Sequence, residues 1–329
     1  EGARAIELDP AHSFAYSNLA SAYIFSGRLD DAEATLRRAS SRKLDTPEIL
    51  ILHYQMAFLQ NDPAEMRRLS ALGLARADTS DWMYDQEALV LAYSGHLQQA
   101  RIMSAHGIEI ARQAGHGEAA AQRQAGAAVR EALFGNAAEA KRAAASARQL
   151  SDGRDAQFGA AVALALVGDS VSSERLANDL EKRLPDDTSL RFAYLPTLHG
   201  LLALNRRDPA GAVALLQAAA PYELGWRGAA SVGFSASLYP IYARGVALLS
   251  AGRGHEAVAE FQKILDHRGI VGADPIGAVA RLQLGRALAM AGEKSKAMAA
   301  YDDFLARWKD ADPNIPILAQ ARAEDARLH

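Results

Sequence analysis

One stretch sets the terms for the whole chain. Between Ala278 and Phe304, Leu284, Gly285 and Leu288 fall at i, i+1 and i+4, Gly292 interrupts, and Ala297, Tyr301 and Phe304 follow at i, i+4 and i+7. Residues at these intervals line one side of an α-helix, so the stretch predicts two short helices folded back on each other at Gly292. Gly285 and Ala297 lack bulk, which lets the two backbones approach closely. A hairpin of this kind has little core of its own and is stabilised by stacking on copies of itself.

The copies recur along the sequence. Turn residues stand at Gly27, Asn61, Gly95, Gly135, Gly168, Arg207, Gly252 and Gly292, at intervals of 34, 34, 40, 33, 39, 45 and 40 residues. Seven residues before the turn lies a small residue (Ala20, Ala88, Ala128, Ala161, Gly200, Gly245, Gly285), and five after it another (Ala32, Ala100, Ala140, Ser173, Ala212, Ala257, Ala297). The second unit departs at both positions together, with Tyr54 and Met66. Paired departure points to one hairpin repacked around larger side chains, with the register kept.

A chain of 329 residues could make two or three globular domains, but stacked hairpins share one continuous core, so a single body is expected. Residues 1–12, ending in Ala5-Ile-Glu-Leu-Asp-Pro10, read as the remnant of a preceding repeat, which makes the chain a fragment of something longer. Residues 13–220 hold hairpins one to six. Residues 221–237 form a long inserted loop with three glycines, and its Tyr222, Trp226 and Phe234 carry more apolar surface than a linker needs, so it is read as a lid. Hairpins seven and eight fill 238–312, joined by a long connection from His267 to Pro275, and 313–329 is a capping helix.

The order of small residue, turn glycine, alanine and aromatic resembles the tetratricopeptide repeat, whose period is 34 residues. The first hairpin, Tyr16 to Ala39, and the last match it most cleanly. The resemblance implies an all-α, right-handed solenoid of about eight helical hairpins plus a C-terminal capping helix, acting as a scaffold that binds a protein or peptide. A narrower likeness lies in Ala220-Pro-Tyr-Glu-Leu-Gly225, Glu260 to Ile270, Leu282 to Arg286 and Trp308 to Ile317, with Asp81-Trp-Met and Glu131 to Asn136 upstream. These are similar to the C-terminal repeat region of bacterial eukaryotic-like serine/threonine protein kinases, which implies a sensory or docking appendage. The alternative is the ligand-sensing domain of a winged-helix transcription regulator, with a small-molecule ligand between hairpin six and the Trp226 loop.

Composition and motif searches narrow the function. A net charge of −3 gives no general basic field, which argues against nucleic acid; the basic run Arg37 to Lys43 falls at a helix end, where cations favour the dipole. No run approaches the ~18 apolar residues that cross a bilayer, so no membrane insertion is expected. The absence of cysteine removes disulfides, thiolate zinc sites and cysteine nucleophiles. Kinase loops, a P-loop, His-Glu-x-x-His and Gly-x-Ser-x-Gly do not occur; Asp266-His267-Arg268-Gly269 lacks the Asp that a catalytic loop places after Arg. The nine histidines include no pair at helical spacing, so no metal or cofactor is expected and the chain reads as no enzyme. Arg37-Arg38-Ala-Ser40 fits a basophilic phosphorylation pattern but lies within a helix.

Counting along the first helix of each hairpin places Phe14, Ser17, Ser21, Phe58, Trp82, Asp85, Phe158, Tyr194, Tyr239, Tyr242 and Arg286 on the concave face. Asn18 has none of the Lys partners that a carboxylate clamp needs, so an apolar or helical peptide is the expected occupant. A cytoplasmic setting is expected, or an extracytoplasmic one if a transmembrane segment lies upstream.

Overall fold

The computed structural model describes residues 1–225 and 238–328, and among them every regular element is helical. Gly2–Leu8 leads into hairpin one, Ser13–Phe25 with Leu29–Ser41. Pro47–Leu59 with Pro63–Leu74 makes hairpin two, and Ser80–Tyr93 with Leu97–Gln113 hairpin three. Hairpin four is Gly117–Leu133 with Ala137–Leu150, five Arg154–Leu166 with Ser170–Arg183, and six Leu195–Asn205 with Pro209–Leu216. Hairpin seven pairs Tyr239–Ser250 with Gly254–Asp266, eight pairs Ile276–Met290 with Lys294–Arg307, and Pro316–Asp325 ends the array. The first helix of each pair is called helix A, the second helix B.

Each turn pivots on one left-handed residue. The six turn glycines take φ from +73° to +88°, while Asn61 and Arg207 hold +56° and +61° despite their side chains. Directly after these two, Asp62 and Asp208 cap helix B: Asp62 accepts from the Ala64 and Glu65 amides at 3.1 and 3.0 Å, and Asp208 from Gly211 at 2.8 Å. Such caps satisfy amides that have no partner within the helix.

The small residues flanking the turns are buried where helix A meets helix B. At Gly245 a Cβ would stand 2.6 Å from the Phe261 ring, so only glycine admits this approach. Hairpin two shows what replaces that arrangement. Tyr54 is 1% exposed and its hydroxyl donates to Glu87 Oε1 of hairpin three at 2.8 Å, while Met66 joins Leu69 and Met83 in a separate apolar cluster. Burial, then Glu87, push that hydroxyl above the ordinary tyrosine range.

The array closes on itself. Helix A of hairpin eight touches the A helices of hairpins three and four. Trp308, 1% exposed, stands edge-on to Phe134 at 5.1 Å and donates its indole N–H to the Tyr93 carbonyl at 3.0 Å. The Asp312 amide donates to Gly95 O at 3.0 Å, its Oδ2 accepts the Gln98 amide at 2.7 Å, and the Ile317 amide donates to Phe134 O at 3.2 Å. Asp312 thus caps a helix whose own preceding residue, His96, provides no side-chain cap. The connection between hairpins seven and eight forms a short helix, Arg268–Val271, against hairpin one, where a Cβ at Gly269 would lie 1.8 Å from Ile24 O. One apolar cluster consequently runs from Ala92 to Ala321.

Candidate functional site

Closure decides what the expected groove residues can do. Phe158 and Tyr194 stack at 3.8 Å with both rings buried, and the Tyr194 hydroxyl donates to Asp155 at 2.6 Å. Tyr239 lies beside Asp274, and Tyr242 accepts a hydrogen bond from Gln283 at 3.1 Å; both are at least 95% buried. These four rings, expected on an open groove, are core, because the A helices of hairpins five to eight pack in turn against one another. Ser17, Ser21 and Asp85 are buried as well. Arg286 is held by Glu324 of the last helix, with Nε and Nη2 donating at 2.8 and 2.9 Å.

The first three hairpins keep accessible rings. Phe14 is 54% exposed, and Trp82 and Phe58 are half-buried, Phe58 meeting Tyr93 edge-on at 5.4 Å. Of the expected lid, Tyr222 is half exposed beside Phe192 at 5.0 Å, while Trp226 and Phe234 lie outside the described residues.

Two charged clusters went unseen in the sequence. In the first, Arg244 of hairpin seven donates to both oxygens of Glu223 at 2.9 Å and to Glu260 at 2.6 Å, and Lys263 also bonds Glu223. Two cations meet two carboxylates, with the Glu223 side chain fully buried. Burial alone would lower the Arg244 guanidinium, but the hydrogen bonds of Glu260 and Glu223 outweigh it and hold the group above its ordinary value.

The second cluster lines an open cleft of about 620 Å³ where the ends of the array meet. Phe58, Asn61 and Tyr93 come from hairpins two and three; Arg268, Arg281 and Arg307 come from the returning side. Arg281 Nη1 and Arg307 Nε share the two oxygens of Asp303, at 2.8 and 2.9 Å. Arg268 donates to the Leu59 carbonyl at 3.0 Å, and among the described residues no carboxylate pairs with it. A smaller cleft of about 340 Å³ between hairpins three and four also holds three arginines, but it includes Glu131 and Glu139, which pair with Arg101 and Arg142. The available sequence signal was the His267 to Pro275 connection and the Trp308 segment; neither shows by itself that it reaches the N-terminal half.

Among the described residues no group of His, Asp or Glu could hold a metal ion, and no helix is long and apolar enough to cross a membrane. A tetratricopeptide repeat model matches residues 3–53, which span the leading helix, hairpin one and the start of hairpin two. No curated protein matches the chain significantly. Among solved structures, the crystal structure of yeast Tom70 aligns over 99% of this chain and 84% of its own, at 13% identity and a TM-score of 0.41. The tetratricopeptide domain of P58(IPK) aligns over 97% and 98%, at 13% identity and a TM-score of 0.29.

Proposed function

We propose that the chain is a non-catalytic interaction scaffold that takes an apolar or helical peptide on the inner face of hairpins one to three. The observation that carries this reading is Phe14, whose ring stays 54% exposed on helix A of hairpin one while Phe158, Tyr194, Tyr239 and Tyr242 are core. Trp82 and Phe58, half-buried on the A helices of hairpins three and two, are the further rings this reading uses. Burying an exposed ring against a partner contributes about 1.5–3 kcal/mol, more than the ~0–1 kcal/mol of an exposed ion pair. The test is a photo-crosslinking residue at position 14, compared with one at Val171, which is 71% exposed on helix B of hairpin five. A discrete adduct from position 14 that weakens in Trp82→Ala supports the inner face; equal capture of the same partner from position 171 rejects it.

Attachment to a bacterial serine/threonine kinase, in the cytoplasm, is the finer reading, and the four downstream segments support it. All four supply fold contacts here: Glu223, Glu260 and Lys263 surround Arg244, Gln283 and Arg286 hold Tyr242 and Glu324, and Trp308 closes the array. Sequencing upstream of Glu1 tests it, since a winged helix there in place of a kinase domain would replace this reading with the transcription-regulator one.

A further inference from the structure

The cleft at the closing seam differs from the other charged clusters in its balance. Among the described residues, Asp303 is the one carboxylate paired with its guanidiniums, shared by Arg281 and Arg307, which leaves a local charge of +2 in a chain whose total is −3. No described residue lining the cleft is acidic. Arg281 Nε is buried without a hydrogen-bond partner among the described residues, although the Tyr93 side chain interacts with the same guanidinium. A buried donor left unmet costs free energy that a bound acceptor would recover.

The walls have a second character. Phe58 and Tyr93 stand edge-on at one side, and Leu265 and Leu284 line the other, so an apolar body fits beside the charged groups. At about 620 Å³ the space lies within the range of small-molecule sites. Guanidinium forks match phosphate oxygens in geometry, and a phosphate monoester carries about −1.5 to −2 at neutral pH, close to the local +2. One carboxylate would leave a positive charge uncompensated.

We infer that this cleft binds a small organic phosphate, a phosphate monoester on a flat apolar body, through Arg268, Arg281 and Arg307. Because the walls come from both ends of the array, an occupant touches both and stabilises the closed form over any open one. The inference shares Phe58 with the peptide reading but rests on the three arginines, which that reading does not use.

The test is calorimetric titration of the full chain at low ionic strength, where charge is least screened, with adenosine monophosphate, adenosine and isophthalate. Adenosine monophosphate should saturate one site at millimolar or lower concentration, with adenosine and isophthalate each at least about tenfold weaker, the scale of one lost charge-assisted hydrogen bond. Arg268→Gln with Arg281→Gln should weaken it by about the same factor. Asp303→Asn removes the competing carboxylate and should tighten binding several-fold, an effect that a misfolded variant would not produce. Arg101→Gln, in the smaller cleft, should change nothing. The inference is overturned if adenosine binds as well as its monophosphate, if isophthalate binds more tightly, if Asp303→Asn weakens binding, or if no heat is detected.

Discussion

The Arg244 cluster and the seam cleft use the same residue types to opposite ends. Around Arg244 and Lys263, two carboxylates meet two cations in a buried site, and Arg244 spends its donors on Glu223, Glu260 and the Leu216 carbonyl. In the cleft Arg281 and Arg307 share Asp303, Arg268 pairs with no carboxylate among the described residues, and the site stays open to solvent. Charge balance with burial describes a clamp that ties the segment after hairpin six to hairpin seven. Excess charge with exposure leaves donors for something outside the chain.

The largest test of that contrast is Glu223→Ala. It leaves Arg244 buried with only Glu260 and a carbonyl, and removing one partner of a buried pair costs about 3–5 kcal/mol. Denaturant unfolding should show a loss on that scale, and a loss under about 1 kcal/mol would reduce the cluster to a surface pair. Next comes Trp308→Phe, which keeps an aromatic ring but removes the indole donor to Tyr93 O. Loss of that bond together with imperfect filling should cost about 1–3 kcal/mol and weaken phosphate binding in the cleft while leaving the Arg244 cluster intact. A destabilised protein with unchanged binding would separate closure from the cleft. The smallest effect belongs to Asp303→Ala, whose carboxylate is 42% exposed: stability should change by about 0–1 kcal/mol. A loss as large as that of Glu223→Ala would erase the distinction between the two clusters.

The parts of this fold that were legible are those set by local sequence. A turn residue fixes its own φ, and small residues seven before and five after it report one hairpin's packing, so all eight turns could be read from the chain alone, including the departure at Tyr54 and Met66. Closure could not. Trp308 and Tyr93 are 215 positions apart, and nothing in either helix's apolar stripe names the other. The same gap misplaced the aromatics: counting along a helix tells which side Phe158, Tyr194, Tyr239 and Tyr242 occupy, and it does not tell whether that side faces solvent or another part of the array. Arg268 sat in a segment already marked as a long connection, but its role follows only from the wall formed opposite by Leu59 and Phe58. Glu223 fell in the stretch read as a lid, where glycines suggested mobility; its buried bond to Arg244 anchors that end of the stretch.

Everything proposed for the cleft requires that the C-terminal segment rest on hairpins three and four in solution. Three donors exist in bonded form only when it does: the Asp312 amide on Gly95, the Ile317 amide on Phe134, and the Trp308 indole on Tyr93. Hydrogen exchange followed by NMR reads each of them separately. The account predicts slow exchange at all three, comparable with the Leu288 amide inside hairpin eight, and in Trp308→Ala, which removes the indole itself, joint loss of protection at the Asp312 and Ile317 amides. Fast exchange at Asp312 and Ile317, with Leu288 still protected, would show an open array and contradict the closure on which the cleft depends.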